Sequence, residues 1–189
     1  MRLILGLGNP GEEYRDTRHN VGFRVIDDLA RRFGHPVDRL ECNALAGRCR
    51  LGEDEVLLAK PQTHMNRSGY AARCFAERYG LEPAAMLLVY DEVNLPLGKI
   101  RLRRSGSPAG HRGLESVIEN LRTIEVPRLR LGVAPAEGRP QGEEMVDFVL
   151  SPFLPEELET AGEMVRRAAD ACETWLREGA EVAMGRYNG

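Results

Sequence analysis

Aromatic residues are scarce: they make up 6% of the 189 residues, with a single Trp. A broad aromatic platform for stacking bases is therefore not expected. Cysteine is also sparse. Cys42, Cys49, Cys74 and Cys172 form no C-x-x-C pair, and the chain is too long for a small disulfide-built framework. All four are expected to be reduced, mostly buried thiols of a cytoplasmic protein, and none lies in a segment that would make it a nucleophile. No apolar run is long enough to span a bilayer, so no membrane contact is expected. Nothing before the first strand resembles a secretion leader. The chain has neither a G-x-S-x-G elbow nor a G-x-x-x-x-G-K-[ST] loop, and it lacks H-E-x-x-H. This removes the commonest serine-hydrolase, nucleotide-triphosphatase and zinc-protease readings. His19, His64 and His111 have no metal-ligand spacing. The net charge of −3 does not by itself predict a polyanionic partner, although its local distribution can.

Periodicity supplies the architecture. Arg2–Leu7 reads as a strand and 21–33 as a helix with Val21, Val25 and Leu29 on one stripe. Two strands, 44–51 and 55–60, surround the turn Gly52-Glu53-Asp54. A helix over 68–79 stops at Gly80. The apolar run 86–90 reads as a buried strand, followed by strand 99–103, helix 114–121, strand 128–133 and a long helix over 155–178. The richest Pro and Gly stretch, 135–142, is expected to be a surface loop. Alternating elements with one hairpin predict one domain over residues 1–189: an α/β fold of three layers, with a twisted mixed β-sheet covered by helices on both faces.

The segment GLGNPG imitates a dinucleotide fingerprint through Gly6, Gly8 and Gly11. That motif needs its third glycine inside a helix that opens at the pyrophosphate. Here EEYRDTRHN follows without an apolar stripe, and the helix begins about ten residues later. The glycines read better as backbone devices that present Asn9 at a strand end. His19 precedes a helix, whose dipole favours a neutral imidazole able to act as a base. Asp91 ends the run MLLVY and could orient an imidazole. His64, Asn66 and Ser68 sit before the second helix, where Asn66 or Ser68 could equally be a cap. Between Glu92 and Glu115 there is no acidic residue, while Lys99, Arg101 and Arg103 share one strand face. Arg104 and Arg112 add charge, and Arg128 and Arg130 extend the patch. Edge strands often carry such cations, but the missing acidic partners favour a phosphate-bearing ligand.

Taken together, GLGNPGEEYRDTRHNVGF, KPQTHMNRSG, YDEVNLPLGKIRLR, GHRGLESV, RLRLGV and FVLSPF resemble the bacterial peptidyl-tRNA hydrolases over nearly the whole chain. The resemblance implies a monomeric enzyme of α/β fold that cleaves the ester between peptide and tRNA, without metal or cofactor. Its substrate is peptidyl-tRNA, held by the acceptor stem and CCA end. It implies His19 as general base, Asp91 as its support and Asn9 as the reader of the blocked acyl group. Asn66 would hold the terminal ribose or ester, and Tyr14 would line the groove. Arg103 and Arg130 would meet acceptor-stem phosphate, and His64, His111 and Arg112 would join the substrate-binding set. Two positions depart from the pattern: Arg112 replaces the usual Asn of G-H-N-G-L, and His64 replaces a Phe. A non-catalytic RNA-binding relative on the same fold is the alternative reading.

Overall fold

The computed structural model describes residues 1–135 and 140–189. The expected loop 135–142 therefore falls partly outside the described residues. Seven strands form one mixed sheet: β1 (Arg2–Gly6), β2 (Arg39–Glu41), β3 (Ala44–Leu51), β4 (Asp54–Pro61), β5 (Met86–Pro96), β6 (Ile100–Arg103) and β7 (Arg128–Ala134), in the order β2-β3-β4-β1-β5-β7-β6. β1 lies at the centre, parallel to β4 and β5, and β5 is parallel to β7. Antiparallel strands β3 and β6 flank this parallel core.

Alternation along the buried strands divides the core in two. Ile4, Val56, Leu58, Leu87, Val89 and Leu129 face α1 (Val21–Phe33) and, later in the chain, α5 (Leu158–Glu178) and α6 (Ala180–Tyr187). Leu3, Leu5, Leu57, Ala59, Met86 and Leu88 face α2 (Ser68–Tyr79) and α3 (Arg112–Leu121). Each apolar run is thus buried on both faces, as a parallel sheet requires. The three-layer arrangement expected from periodicity is present.

Glycine spacing at the first crossover is a packing device. A Cβ on Gly22 would lie 2.4 Å from the Val89 carbonyl oxygen, and one on Gly6 would lie 2.4 Å from the Gly22 carbonyl oxygen. The first turn of α1 therefore rests directly on β1 and β5. Gly22→Ala should destabilise the fold by about 1–3 kcal/mol through overpacking. Denaturant unfolding measures this, and a change within about 0.5 kcal/mol of zero would show that the crossing can relax.

Several elements differ from the sequence expectation. β5 runs to Pro96, because β7 continues to pair with it beyond Tyr90. Strand β2 is only three residues long and follows no clear alternation. α4 (Glu143–Val149) and α6 carry little apolar signal of their own. The cysteine expectation needs correction. Cys42 and Cys74 form a disulfide with Cα atoms 5.4 Å apart, while Cys49 and Cys172 are free and buried. The turn at Cys42 and Asn43, both with positive φ, brings Cys42 to α2 across 32 residues. Such a pairing leaves no local spacing signal. Among the described residues, no helix is long and apolar enough to cross a membrane.

Candidate active site

α1 follows β1 on one face of the sheet, whereas α3, which follows β6, lies on the other, and a crevice opens beyond the end of β1. This is where open α/β sheets place their ligands. β1 ends at Gly6, opposite Val89, so β5 continues past it and carries Asp91 into the crevice floor. Asp91 therefore lies inside a strand still paired on its other edge, opposite Leu131, rather than in a loop.

Two helix entries converge on Asp91. His19 sits in the 3-10 turn Arg18–Asn20 that leads into α1. Its Nδ1 lies 2.8 Å and 2.9 Å from the two Asp91 carboxylate oxygens. His111 caps α3 and reaches the same Asp91 Oδ1 through Nε2 at 3.0 Å. Asp91 is buried at 2% exposure, which raises the proton affinity of a carboxyl group, but the two imidazoles reverse this and hold it well below the usual carboxylate range. Burial likewise pulls the His19 imidazolium down, and the charge and hydrogen bond of Asp91 more than offset it, so its pKa lies above the ordinary imidazole value. The expectation of a helix dipole favouring neutral His19 is thus corrected, because a buried carboxylate at hydrogen-bond distance outweighs partial charges at the helix start.

Asn9 approaches from the loop after β1. Its backbone N–H donates to Asn20 Oδ1 at 2.9 Å, and Asn20 Nδ2 donates back to the Asn9 carbonyl at 2.9 Å. The Asn9 Oδ1 accepts from the Met65 N–H at 2.7 Å. This bond fixes the amide orientation, leaving Nδ2 as the donor available to a ligand. His19 Nε2 has no partner among the described residues. With Nδ1 donating to Asp91, Nε2 presents a lone pair.

These groups line a cavity of about 320 Å³ with Arg112 on its rim. Its other wall is Met145, Val146, Val149 and Leu150 of the α4 segment, which periodicity alone does not single out. The short run MVDFV offers only a brief apolar pattern. Arg18, next to His19, ties the end of this wall down. Its guanidinium donates to Ser151 Oγ at 2.7 Å and to Glu157 at 2.6 Å, and it sits over the Phe148 ring.

The remaining candidate residues separate. His64 and Asn66 are exposed around the 3-10 turn Met65–Arg67, and neither lines the cavity. Tyr14 is half-buried in the turn Glu12–Tyr14 and also lies outside the lining. Arg103 and Arg130 face a second cavity of about 250 Å³ that includes Ser105 and Ser107. Glu92 lines both cavities, so they adjoin. Arg130 pairs with Glu92 at 2.8 Å, and Arg104 pairs with Glu181 at 2.7 Å. The absence of local acidic residues thus did not leave every cation unpaired. Arg128 is no part of an exposed patch. It is 2% exposed, and its guanidinium donates to the carbonyls of Gly106, Ile124 and Val126.

The ligand atoms of His19, Asp91 and His111 lie within 4.8 Å of one another, a spacing compatible with a cation. The Leu114 N–H donates to His111 Nδ1 at 3.2 Å, however. His111 Nε2 therefore carries the proton of the neutral ring and offers no lone pair to a metal. The cluster fits a hydrogen-bonded chain better than a metal centre.

Comparison with known proteins agrees with this geometry. The profile of the peptidyl-tRNA hydrolase family matches residues 3–189. A peptidyl-tRNA hydrolase from Alkaliphilus oremlandii (strain OhILAs) is 43% identical over 189 residues, covering all of both chains. One from Synechococcus sp. (strain JA-3-3Ab) is 47% identical over 192 residues, covering all of this chain and 83% of that one. The crystal structure of peptidyl-tRNA hydrolase from Acinetobacter baumannii superposes with a TM-score of 0.92 at 31% identity, covering all of this chain and 95% of that one. With a family match along essentially the full chain and a superposable α/β fold, the protein belongs to the peptidyl-tRNA hydrolase family.

Proposed function

We propose that this chain hydrolyses the ester joining a peptide to tRNA by base-activated attack of water, with His19 as the base. The observation that carries this reading is the His19–Asp91 pair, whose free Nε2 shares a cavity with the locked Asn9 amide. An ester is already an activated acyl group. One positioned base is worth about 10²–10⁴-fold, and a donor at the developing oxyanion contributes on a similar scale. His19 Nε2 takes a proton from water as the oxygen attacks the carbonyl carbon. The proton then passes to the departing ribose oxygen, and Asp91 supports the transient imidazolium.

Asn9 Nδ2 donates to the acyl carbonyl of the peptide, which supports preference for N-blocked substrates. A free aminoacyl-tRNA offers an ammonium at that place and no matching acceptor. The adjoining cavity suits acceptor-stem phosphate near the CCA end. Arg103 makes no ion pair among the described residues, whereas Arg130 is shared with Glu92. Such contacts hold any tRNA without reading its sequence. Asn66, His64 and Tyr14 lie outside the cavity wall, so a role in tRNA binding would place them along the entry surface. A single chain carries the whole site, consistent with a monomer, and the substrate implies a cytoplasmic location.

Release of peptide from N-acetyl-aminoacyl-tRNA, compared with release from free aminoacyl-tRNA, tests this reading. The blocked substrate should turn over and the free one should not. Asn9→Asp retains the acceptor for the Met65 N–H but loses the donor. Its kcat/KM should fall about 10-fold to 10²-fold, the scale of one lost hydrogen bond that leaves its partner unsatisfied. Equal turnover of blocked and free substrates would remove the assignment of Asn9, and no release from either would remove the enzymatic reading.

A further inference from the structure

We infer that His111 is a positioning residue for the hydrolytic reaction: it aligns the Asp91 carboxylate with His19 and so fixes which His19 nitrogen carries the proton. The inference rests on the proposed role of His19 and gives His111, expected in the substrate-binding set, a positioning role through Asp91.

The orientation of His111 is determined from both sides. The Leu114 N–H occupies Nδ1 at 3.2 Å, and Asp91 Oδ1 accepts from Nε2 at 3.0 Å. Rotating the ring by half a turn would leave a carbon facing each partner. The Tyr90 ring packs against it with centroids 4.6 Å apart, and only 11% of the side chain is exposed. Gly113 leaves space for this arrangement, since a Cβ there would lie 3.1 Å from His111 Cε1. His111 therefore has one tautomer, and its single proton is already committed to Asp91.

Asp91 thus receives one N–H from each helix entry, α1 on one side of the sheet and α3 on the other. A carboxylate with two committed donors remains an acceptor, so the shared proton stays on His19 Nδ1 and Nε2 remains bare. Removing the His111 donor directs more carboxylate charge at His19 and favours its imidazolium. Other charged groups nearby are engaged or peripheral. Glu92 is turned toward Arg130, Arg128 is bonded to backbone carbonyls, and Arg112 stands on the cavity rim.

Two substitutions separate the two bonds of His111. Asn is short, keeps an acceptor for the Leu114 N–H and cannot reach Asp91. Gln places an amide N–H near the position of Nε2 but loses the cap. In His111→Asn, kcat should fall roughly tenfold with KM unchanged. The acid limb of the pH profile should move to higher pH. The His19 ring proton, followed by NMR without substrate, should titrate at higher pH in parallel. His111→Gln should restore the titration toward wild type while melting at lower temperature than His111→Asn. An unshifted His19 titration in His111→Asn would overturn the inference, as would a rise in KM at constant kcat. The NMR readout needs no turnover, so it judges His111 even if the proposed substrate fails.

Discussion

Replacing His19 with Ala should lower kcat on N-acylated aminoacyl-tRNA by about 10²–10⁴-fold, the range for loss of a positioned base. Neither His111 nor His64 can take over. His111 has its only proton on the nitrogen facing Asp91 and its other nitrogen under the Leu114 N–H. His64 is exposed and outside the cavity. tRNA affinity should be retained, because Arg103 and Arg130 line the neighbouring cavity. Single-turnover kinetics beside filter binding separates the two quantities. Turnover within tenfold of wild type would reject His19 as the base. In the wild-type enzyme, the reaction needs neutral His19, so kcat/KM should rise with pH as the imidazolium loses its proton. Burial opposes the imidazolium, but the charge and hydrogen bond of Asp91 more than offset it, so the midpoint should exceed the ordinary imidazole value of about 6.5.

Asp91→Asn should lower kcat by about 10³-fold or more, with a different signature. A carboxylate accepts N–H groups from both histidines, whereas an amide has one oxygen and two further donors. Whichever histidine faces the new NH₂ group must accept from it. If His19 does, its proton moves to Nε2 and the base is lost, as wrong-tautomer variants of hydrolytic triads show. If His111 does, it loses the cap bond to Leu114. The pH profile should move in the opposite direction from that of His111→Asn, because losing the anion releases the imidazolium proton at lower pH. Stability should also depend on pH. The depressed carboxyl of Asp91 adds stability above its unfolded pKa, and this is lost as pH falls through the folded value. The raised His19 adds stability below its unfolded pKa, lost as pH rises through the folded value. The wild-type advantage over Asp91→Asn should therefore be greatest between the carboxylate and imidazole ranges. Urea unfolding across pH measures it. A gap independent of pH would mean that the pair contributes nothing through its charge.

Most of the sheet was legible because its strands announce themselves. Met86–Tyr90 is apolar throughout, and Val21–Phe33 carries a stripe that ends at Gly34 in a left-handed cap. The failures share a physical cause, namely dependence on distant partners. β2 exists because β3 pairs with it, and α4 because its apolar side closes a cavity built by other segments. The disulfide joins residues whose proximity depends on a turn and a helix face. Arg128 reads as surface charge in sequence, yet three carbonyl oxygens from two separate connections make it part of the interior.

Local pattern along the chain was enough for the α/β class, the presentation of Asn9 by the glycine-rich turn and the identity of the His19 and Asp91 candidates. Period and residue chemistry are local properties, readable one segment at a time. How those groups act on one another depends on the folded arrangement. His19 and Asp91 are 72 positions apart, and His111 another 20. Only the crossovers to opposite faces of the sheet bring both imidazoles to one buried carboxylate. Burial strengthens their interaction, and the two hydrogen bonds of His111 assign the protons. Tautomer and charge depend on angstrom-scale contacts between helix entries and a strand, which residue spacing does not encode.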